Sequence, residues 1–421
     1  NLDELFNTDP SRDYANTNFE VVEYGYKAST VPGTVSGLLQ AHKNFGKLPL
    51  TEVLKPVIRQ AEEGIRVSYD LEQAIGSSSQ LKKDPESRRI YFKDGSPIKE
   101  GSLMQRPDLA KTLSLIAENG TKAFYEGEIA KKFVLAMESN KGLITGDDLK
   151  NYKSRFSTPI GINYRGQKVF THGPPSGGGI VLLTALNVLE NFDLKKYGSN
   201  SSTTYHLLAE ALRRGHNNRS HHVGDPSFYK TPIENFLSSE RTKQLAQNIN
   251  FKKATPSSAV KPLKVRNESK DTTHYSIIDE EGNSISSTYT LGSSFGSGVT
   301  IPGTGILMNN QMNNFAYRYG DKSIKGRAAS PGNRFEPGKR PMSTMAPTMI
   351  FDKNDNLKLI TGSPGGSFIP ATILRVVTGV IDFDLNIGES TMLPRLHKDW
   401  PYSGLDHEST FSQDVLKVLD R

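Results

Sequence analysis

The stretch Thr272-Thr-His-Tyr-Ser-Ile-Ile-Asp279 (TTHYSIID) marks a change in the character of the chain. It is rich in β-branched and aromatic residues, as is Ser284–Leu291, and such runs are typical of strands. Between them lies Glu280-Glu-Gly-Asn283, whose glycine and asparagine tolerate positive φ, so the two runs are predicted to form a β-hairpin. A pair of threonine hydroxyl groups therefore opens the first strand.

The composition changes just before this hairpin. Residues 251–271 (FKKATPSSAVKPLKVRNESKD) lose apolar periodicity and are dominated by Lys, Pro and Ser, which predicts an exposed, mobile segment. Helical periodicity dominates upstream of it and strands dominate downstream, so an α+β fold is favoured over a doubly wound parallel sheet. The predicted helices cover residues 33–45, 51–64, 107–119, 121–139, 177–190, 203–214, 239–247 and 368–381, and the predicted strands cover 159–170 (two runs), 272–279, 284–291, 300–308, 348–351 and 357–361. Thr145-Gly-Asp-Asp148 matches a capping box for a further short helix.

Composition excludes several classes of protein. The chain has 421 residues, 35% of them hydrophobic, which suffices for a sizeable core. Lys and Arg exceed Asp and Glu by 52 to 45, but both signs alternate along the chain, which argues against a nucleic-acid-binding arm. No apolar run is long enough to predict a membrane span. Because cysteine is absent, disulfides, thiolate metal sites and cysteine nucleophiles are excluded. No other feature of the sequence calls for a metal or organic cofactor, so none is predicted.

Thr272 is a candidate nucleophile because it directly follows the polar segment. A hydroxyl needs a base to take its proton, and a threonine at a new N-terminus has its own α-amine, with a pKa near neutrality, for that task. This chemistry requires a cut between Asp271 and Thr272. The alternative is that the threonines only open a strand, where β-branched residues fit well.

Two glycine-rich loops and one basic segment are further candidates. Gly362-Ser-Pro-Gly-Gly-Ser367 follows a predicted strand and precedes a helix, so its amide groups suit an anion, although most such turns are structural. Gly173-Pro-Pro-Ser-Gly-Gly-Gly179 is predicted to be a close-packed turn. Residues 316–341 carry seven Lys and Arg against two acidic residues, which suits either a lid over an acidic substrate or a solvated surface.

Three histidines invite comparison with a metal site. His216, His221 and His222 lie close together, but they lack the spacing of an HExxH motif and have no pattern of acidic ligands beside them. They are therefore predicted to lie on a solvated helix face.

Six linked motifs together resemble the γ-glutamyltranspeptidase family in order and spacing. They are Thr272-Thr-His-Tyr-Ser276, Thr290, Leu307-Met-Asn-Asn-Gln-Met312, Gly338-Lys-Arg-Pro341 with Ser343, Met345-Ala-Pro-Thr348 and Thr361-Gly-Ser-Pro-Gly-Gly366. Weaker family-like stretches extend the similarity over nearly the whole chain; they are Val31–Gly37, Gly142–Thr145, Pro174–Ser176 and Gly224–Pro226.

The resemblance implies an N-terminal-nucleophile hydrolase with a four-layer αββα sandwich, made as a proenzyme that cuts itself before Thr272. Residues 1–271 would form the large-subunit region, mostly helical and ending in a flexible linker, and residues 272–421 the strand-rich small-subunit region. The two are expected to remain associated as one co-folded domain. Because the family has further segments before the region matching Asn1 and after that matching Arg421, the sandwich is expected to be incomplete at both termini.

The resemblance also implies the catalytic roles. Thr272 would attack the γ-carbonyl of a γ-glutamyl amide and Thr290 would orient it. The amide groups of Gly365 and Gly366 match the oxyanion hole, which stabilises the charge of the tetrahedral intermediate.

Five further positions correspond to the family's binding site for the glutamyl group. Gln311, Ser343 and Thr344 match residues that hold its α-amine and α-carboxylate. Two positions depart from the family pattern, since Gly292 replaces an amide residue and Asn314 replaces an acidic one. Both changes would weaken the binding of a free α-ammonium group. They therefore favour a donor whose α-nitrogen is an amide, as inside poly-γ-glutamate.

The activity implied is transfer of a γ-glutamyl group, through a threonyl ester, from glutathione-like or poly-γ-glutamyl amides to water or an amine. The expected partners are γ-glutamyl small molecules or poly-γ-glutamate and the chain's own cleaved second subunit, with no nucleic acid. The expected location is extracytoplasmic, which covers secreted, periplasmic and cell-surface proteins. The alternatives are an acylase or capsule depolymerase of the same superfamily, and a non-catalytic binding homologue.

Overall fold

The computed structural model describes residues 20–256, 272–316, 330–400 and 404–420. Their contacts divide the chain into two compact units. Unit 1 contains the described residues up to Phe156 together with Thr290–Asn313, and unit 2 contains those of Ser157–Tyr289 and Asn314–Arg421. Each unit therefore combines residues from both sides of position 272.

Helices and strands are numbered separately in chain order. The helices are α1 (Glu20–Glu23), α2 (Thr34–Phe45), α3 (Leu50–Glu63), α4 (Tyr69–Ser77), α5 (Ser79–Lys83), α6 (Pro85–Tyr91), α7 (Pro107–Asn119), α8 (Thr121–Tyr125), α9 (Glu128–Ser139), α10 (Gly146–Asn151), α11 (Gly178–Leu189), α12 (Ser202–His222), α13 (Ile233–Leu237), α14 (Ser239–Gln247), α15 (Ile369–Asp382), α16 (Ile387–Met392) and α17 (Gln413–Leu419). The strands are β1 (Ile65–Arg66), β2 (Phe92–Lys93), β3 (Ser96–Pro97), β4 (Leu103–Met104), β5 (Ile160–Tyr164), β6 (Gln167–Thr171), β7 (Thr273–Ile278), β8 (Ser284–Tyr289), β9 (Thr300–Ile301), β10 (Ile306–Leu307), β11 (Thr348–Phe351), β12 (Leu357–Thr361), β13 (Leu396–His397) and β14 (Asp406–His407).

Unit 1 is mainly helical, as the apolar spacing predicts. Its largest core cluster joins α8 and α9 to the short hairpin β9–β10, with Phe133 and Ile301 fully buried. The capping box predicted at Thr145 is present: the Asp148 amide donates to Thr145 Oγ1 at 3.2 Å, and the Thr145 amide donates to Asp148 Oδ2 at 2.8 Å. Those two bonds satisfy amide groups that the first turn of α10 would otherwise leave unpaired.

Unit 2 is built on an antiparallel sheet of four strands in the order β12-β11-β6-β5. The central register pairs Thr348 with Thr171 on one side and with Thr361 on the other. Helix α11 packs against α12 and α15, and nearly all its residues are buried because the segment is apolar all round rather than on one stripe. The predicted strands 348–351 and 357–361 match β11 and β12, so this part of the fold is confirmed.

Strands β7 and β8 form the predicted hairpin. They pair antiparallel from Thr273↔Tyr289 to Ile278↔Ser284, and Gly282 in the turn has φ of 83°. The α+β prediction is confirmed, since helices and antiparallel ladders make up the described part of the chain. Among the same residues, no helix combines the length and the apolar character that crossing a bilayer requires.

Helix α12 continues to His222, although the predicted helix ends at Arg214. Its second half is polar, so the apolar periodicity stops, yet most of those polar side chains are buried. The Glu210 carboxylate lies 2.6 Å from Arg214 Nη1 and 3.3 Å from Arg213 Nη2, and it accepts a hydrogen bond from the Thr255 hydroxyl. These ion pairs lie within the predicted helix, and beyond Arg214 the buried polar residues His216, Asn218 and Arg219 continue it without the apolar spacing on which the prediction depends.

The prediction of a solvated histidine face is wrong for His216. His222 is exposed and His221 half-buried, but His216 is 0% exposed, and its Nδ1 lies 3.2 Å from Asp399 Oδ1. Its ring also meets that of His397 edge to face, with 5.3 Å between the centroids. Burial lowers the pKa of His216 to about 3, so the imidazole is neutral at pH 7.

Two predicted segments fall partly outside the described residues. Residues 257–271 of the predicted linker (251–271) lie outside the described residues. So do residues 317–329 of the predicted lid segment (316–341). In the described remainder of the second segment, Lys339 is 8% exposed, lies 3.0 Å from the Glu336 carboxylate and stacks on the Phe228 ring. That lysine therefore belongs to the packed part of unit 2.

Candidate active site

The nine predicted site residues divide between the two units. Unit 1 holds Thr290, Gly292 and Gln311, and unit 2 holds Thr272, Asn314, Ser343, Thr344, Gly365 and Gly366.

Thr272 is half-buried and directly precedes β7. Two residues later, His274 Nδ1 lies 2.7 Å from Thr288 Oγ1 on β8, and its Nε2 lies 3.1 Å from Ser276 Oγ. Burial lowers the pKa of His274, so its ring is neutral at pH 7. The first residues of β7 are thus held by side-chain bonds in addition to the strand ladder.

The hairpin β7–β8 contacts the glycine-rich loop that follows β12. Ser286 Oγ on β8 donates to the Thr361 carbonyl at 3.2 Å. The His274 ring lies against Gly362 so closely that a β-carbon at this position would overlap it. A strand that begins after Thr272 and the loop that carries Gly365 and Gly366 are therefore packed together in one unit.

Gly365 and Gly366 adopt conformations that favour glycine, with φ of 126° and 55°. The Phe368 amide donates to the Gly365 carbonyl at 3.0 Å, which closes a short 3₁₀ turn at Gly366–Phe368 just before α15. The Phe368 ring stacks on that of His397, with centroids 4.2 Å apart. Backbone geometry and this stacking together fix the direction of the two glycine amide groups.

Ser343 and Thr344 lie beside the predicted close-packed turn, residues 173–179. The Gly177 amide donates to the Ser343 carbonyl at 2.8 Å. Thr344 is 7% exposed, and Gly178 approaches its carbonyl so closely that a β-carbon there would overlap it. The turn is close-packed as predicted, and it packs on a predicted binding segment.

Asn314 is linked to that same segment through a residue that the sequence analysis missed. Asn333 is fully buried, and its Nδ2 donates to the Asn314 carbonyl at 2.7 Å. Its Oδ1 accepts from the amide of Met342, the residue before Ser343, at 2.8 Å. Asn333 follows a Pro-Gly pair in a basic stretch, so no sequence pattern marks it.

In unit 1, Thr290 Oγ1 accepts a hydrogen bond from the Gly292 amide at 2.9 Å. Gly292 has φ of 96°, and the Asn310 side chain occupies the space that a β-carbon on Gly292 would need. Asn310 is 1% exposed, and its Oδ1 accepts from the Ser293 amide at 2.9 Å. An amide side chain thus lies beside Gly292, but it belongs to Asn310.

The side chain of Asn309 binds the backbone of Gln311. The Gln311 amide donates to Asn309 Oδ1 at 3.0 Å, and the same oxygen accepts from the Thr30 amide at 3.0 Å. Asn309 Nδ2 donates to the Thr30 carbonyl at 2.8 Å. Asn309 and Asn310 lie within the motif LMNNQM and were not predicted to have a role; their position next to Gln311 was the available signal.

Comparison with known proteins identifies the family. The family model for Gamma-glutamyltranspeptidase matches residues 4–421. The chain is 41% identical over 396 residues to "Glutathione hydrolase proenzyme" of Escherichia coli (strain K12), covering 93% of this chain and 68% of that protein. It is 34% identical over 397 residues to "Acylase ACY 1 proenzyme" of Pseudomonas sp. (strain SE83), covering 94% and 68%.

Solved structures agree with the sequence matches. The cephalosporin acylase from Bacillus halodurans superposes with a TM-score of 0.80 at 28% identity, covering 94% of this chain and 71% of that one. The Helicobacter pylori gamma-glutamyltranspeptidase superposes with a TM-score of 0.58 at 34% identity, covering 61% and 74%. The predicted N-terminal-nucleophile hydrolase fold is confirmed. The chain belongs to the γ-glutamyltranspeptidase family.

Proposed function

We propose that the protein is a γ-glutamyl hydrolase and transferase that cleaves itself between Asp271 and Thr272 and uses Thr272 as its nucleophile. The observation that carries the proposal is the contact between His274 and Gly362. It joins the strand that begins after Thr272 to the loop of Gly365 and Gly366, so a nucleophile and candidate oxyanion donors lie on packed elements. Family membership and the relatives described as proenzymes support the same conclusion.

Self-cleavage uses the chemistry of the later reaction. The Thr272 hydroxyl attacks the Asp271 carbonyl and loses its proton, and the Thr272 nitrogen leaves as a protonated amine. The resulting ester is opened by water, which leaves a carboxylate on Asp271 and a free hydroxyl and amine on Thr272. The two fragments are the predicted regions 1–271 and 272–421.

In the mature site, the Thr272 amine takes the hydroxyl proton as the oxygen attacks the γ-carbonyl of the donor. The amide groups of Gly365 and Gly366 stabilise the oxyanion, and one such donor is typically worth about 3 kcal/mol in the transition state. The leaving amine departs with a proton and a γ-glutamyl ester remains on Thr272. Attack by water releases glutamate, and attack by an amine forms a new γ-glutamyl amide.

The donor's α-carboxylate is assigned to Ser343 and Thr344 in unit 2, and the role of Gln311 in unit 1 stays a prediction from the resemblance. Hydroxyl and amide hydrogens are suitable donors to an α-carboxylate. The α-amine lacks a carboxylate partner at position 314, because that residue is Asn314.

A second candidate is an acylase or depolymerase acting on donors whose α-nitrogen is already an amide. Gly292 carries no side chain, and the Asn310 amide beside it is already bonded to Ser293. Neither Gly292 nor Asn314 supplies a negative charge for an ammonium group. Comparing γ-glutamyl-anilide with its N-acetyl form separates the candidates, since a strong preference for the free amine would exclude the second.

The experiment that tests the main proposal is intact mass and N-terminal sequencing of the purified protein after incubation. We expect a new N-terminus at Thr272 that is lost in Thr272→Ala. Thr273→Ala is the matched control, because it removes the neighbouring hydroxyl and should still be cleaved. A folded chain that stays whole and releases no amine from γ-glutamyl-anilide would favour the non-catalytic binding homologue.

A further inference from the structure

The turn at residues 173–177 holds the backbone of Ser343 on both sides. The Ser343 amide donates to the Pro175 carbonyl at 3.2 Å, and the Ser343 carbonyl accepts from the Gly177 amide at 2.8 Å. Ser176 and Ser343 therefore form an isolated parallel β-bridge. Because both backbone polar groups of Ser343 are bonded to this turn, a shift of the turn would move Ser343 with it.

The Ser176 side chain makes a third connection, one residue beyond Thr344. Ser176 is 3% exposed, and its hydroxyl donates to the Met345 carbonyl at 2.5 Å. Thr344, which is 7% exposed, thus lies between two residues that the same turn holds. Its backbone has little freedom to move independently of Ser176.

Gly178 sets the distance between the start of α11 and this segment. A β-carbon at Gly178 would overlap the Thr344 carbonyl oxygen, which is backbone and has no alternative rotamer. Its neighbour Gly177 is similarly constrained, since a β-carbon there would lie 2.7 Å from Arg219 Cγ on α12. Any larger residue at position 178 would therefore displace Thr344 or the first turn of α11.

We propose that Ser176 and Gly178 are positioning residues for the donor's α-carboxylate, acting through Ser343 and Thr344 without touching the donor. The inference rests on the proposed function, which assigns carboxylate binding to those two hydroxyl-bearing residues. Hydroxyl hydrogen bonds weaken steeply outside a narrow range of distance and angle, so a shift of a few tenths of an ångström at Ser343 or Thr344 weakens binding.

The test measures kcat and KM of the processed protein for γ-glutamyl-anilide hydrolysis. We expect Ser176→Ala to raise KM about tenfold with kcat within about twofold, because loss of ground-state binding raises KM alone. Gly178→Ala is expected to raise KM further where it folds. Thr171→Val is the matched control: Thr171 is 2% exposed and its hydroxyl donates to the Pro347 carbonyl at 2.9 Å, so it loses a similar bond away from Ser343, and KM should stay unchanged.

A double-mutant cycle separates positioning from general destabilisation. Ser343→Ala alone should raise KM, and adding Ser176→Ala should raise it far less than the product of the two single effects. The positioning role is overturned if the KM effects of Ser343→Ala and Ser176→Ala multiply in the double variant. It is also overturned if kcat falls equally in Ser176→Ala and Thr171→Val. Either result leaves the proposed function intact. An unchanged KM in Ser343→Ala would remove the carboxylate assignment itself, and the positioning role with it.

Discussion

The side-chain oxygen of Asn310 occupies the space that a β-carbon on Gly292 would need. Two hydrogen bonds with Ser293 and one from Asn310 Nδ2 to the Glu23 carbonyl hold that amide in place, so it has no free rotamer to adopt. A side chain at position 292 and the present position of Asn310 are therefore incompatible.

Gly292→Ala should destabilise unit 1 through both backbone strain and overlap. A positive φ costs a residue with a β-carbon about 1–2 kcal/mol, and forced overlap in a packed site adds roughly 1–3 kcal/mol. We expect a loss of about 2–5 kcal/mol in the free energy of unfolding, measured by urea denaturation. Gly95→Ala is the matched control in the same unit, because Gly95 has φ of 77° and no atom within 4 Å of its added β-carbon. Equal losses of unfolding free energy in the two variants would show that Asn310 moves aside without a measurable cost.

Gly362→Ala should lower kcat by at least about tenfold, because the new methyl group overlaps the His274 ring and displaces the loop of Gly365 and Gly366. The measurement is steady-state hydrolysis of γ-glutamyl-anilide by the processed protein. Gly404→Ala serves as the control, since nothing lies within 4 Å of its added β-carbon.

A second substitution tests whether His274 transmits that effect. In the His274→Ala background the overlap is gone, so adding Gly362→Ala should reduce kcat much less than it does alone. If Gly362→Ala is equally harmful in both backgrounds, the loop is disturbed by a different contact.

The sequence predicted those elements whose residues repeat a simple pattern. Strands β11 and β12 alternate or run apolar between turns, so their predicted bounds agree with the structure. The β7–β8 hairpin has turn residues at its tip, so it was predicted correctly, although the observed strands, Thr273–Ile278 and Ser284–Tyr289, are slightly shorter than predicted. Helix α12 was predicted to end at Arg214 because buried His216, Asn218 and Arg219 look like surface residues to a rule based on apolar spacing. The burial of His216 depends on Asp399, a residue distant in sequence.

The candidate site likewise contains residues that a sequence pattern indicates and residues that none does. The motif pattern indicated Thr272, Gly365 and Ser343, whereas Asn333 and Ser176 connect segments that no local spacing relates. Supporting residues of this kind are defined by three-dimensional contacts alone.

Glu210→Gln should destabilise the protein strongly. The substitution leaves the buried guanidinium groups of Arg213 and Arg214 without their carboxylate, and breaking a buried pair in this way costs about 3–5 kcal/mol. Although burial alone raises the pKa of Glu210, hydrogen bonds from Thr255 and Arg214 outweigh it and lower that pKa, so the carboxylate is charged at pH 7. The measurement is the free energy of unfolding from urea denaturation.

Glu52→Gln is the control for that charge change. Glu52 pairs with Lys55 at 3.9 Å on an exposed helix face, where an ion pair contributes at most about 0.5 kcal/mol. A loss in Glu210→Gln no larger than in Glu52→Gln would mean that water or other groups replace the carboxylate.

Acid should destabilise the folded protein through His216. Burial lowers its folded-state pKa to about 3, whereas an unfolded histidine titrates near about 6.5. Between these values the unfolded chain binds a proton that the folded chain does not, so the free energy of unfolding rises with pH and falls as the solution is acidified. The groups facing the ring are Asp399, His397 and Arg219; the Asp399 carboxylate opposes the shift but does not cancel it.

The measurement is urea denaturation of wild type and His216→Gln at several pH values between 4 and 7.5. One proton contributes a slope of about 1.4 kcal/mol per pH unit, and His216→Gln should lose up to that amount of slope across the interval. Glutamine does not titrate and keeps a donor for the Asp399 carboxylate, as the neutral imidazole does, so the variant should be most comparable to wild type at neutral pH and should lose less stability than wild type towards the acid end. Parallel stability curves for the two proteins would mean that His216 takes up a proton without unfolding, with Asp399 as its counter-ion.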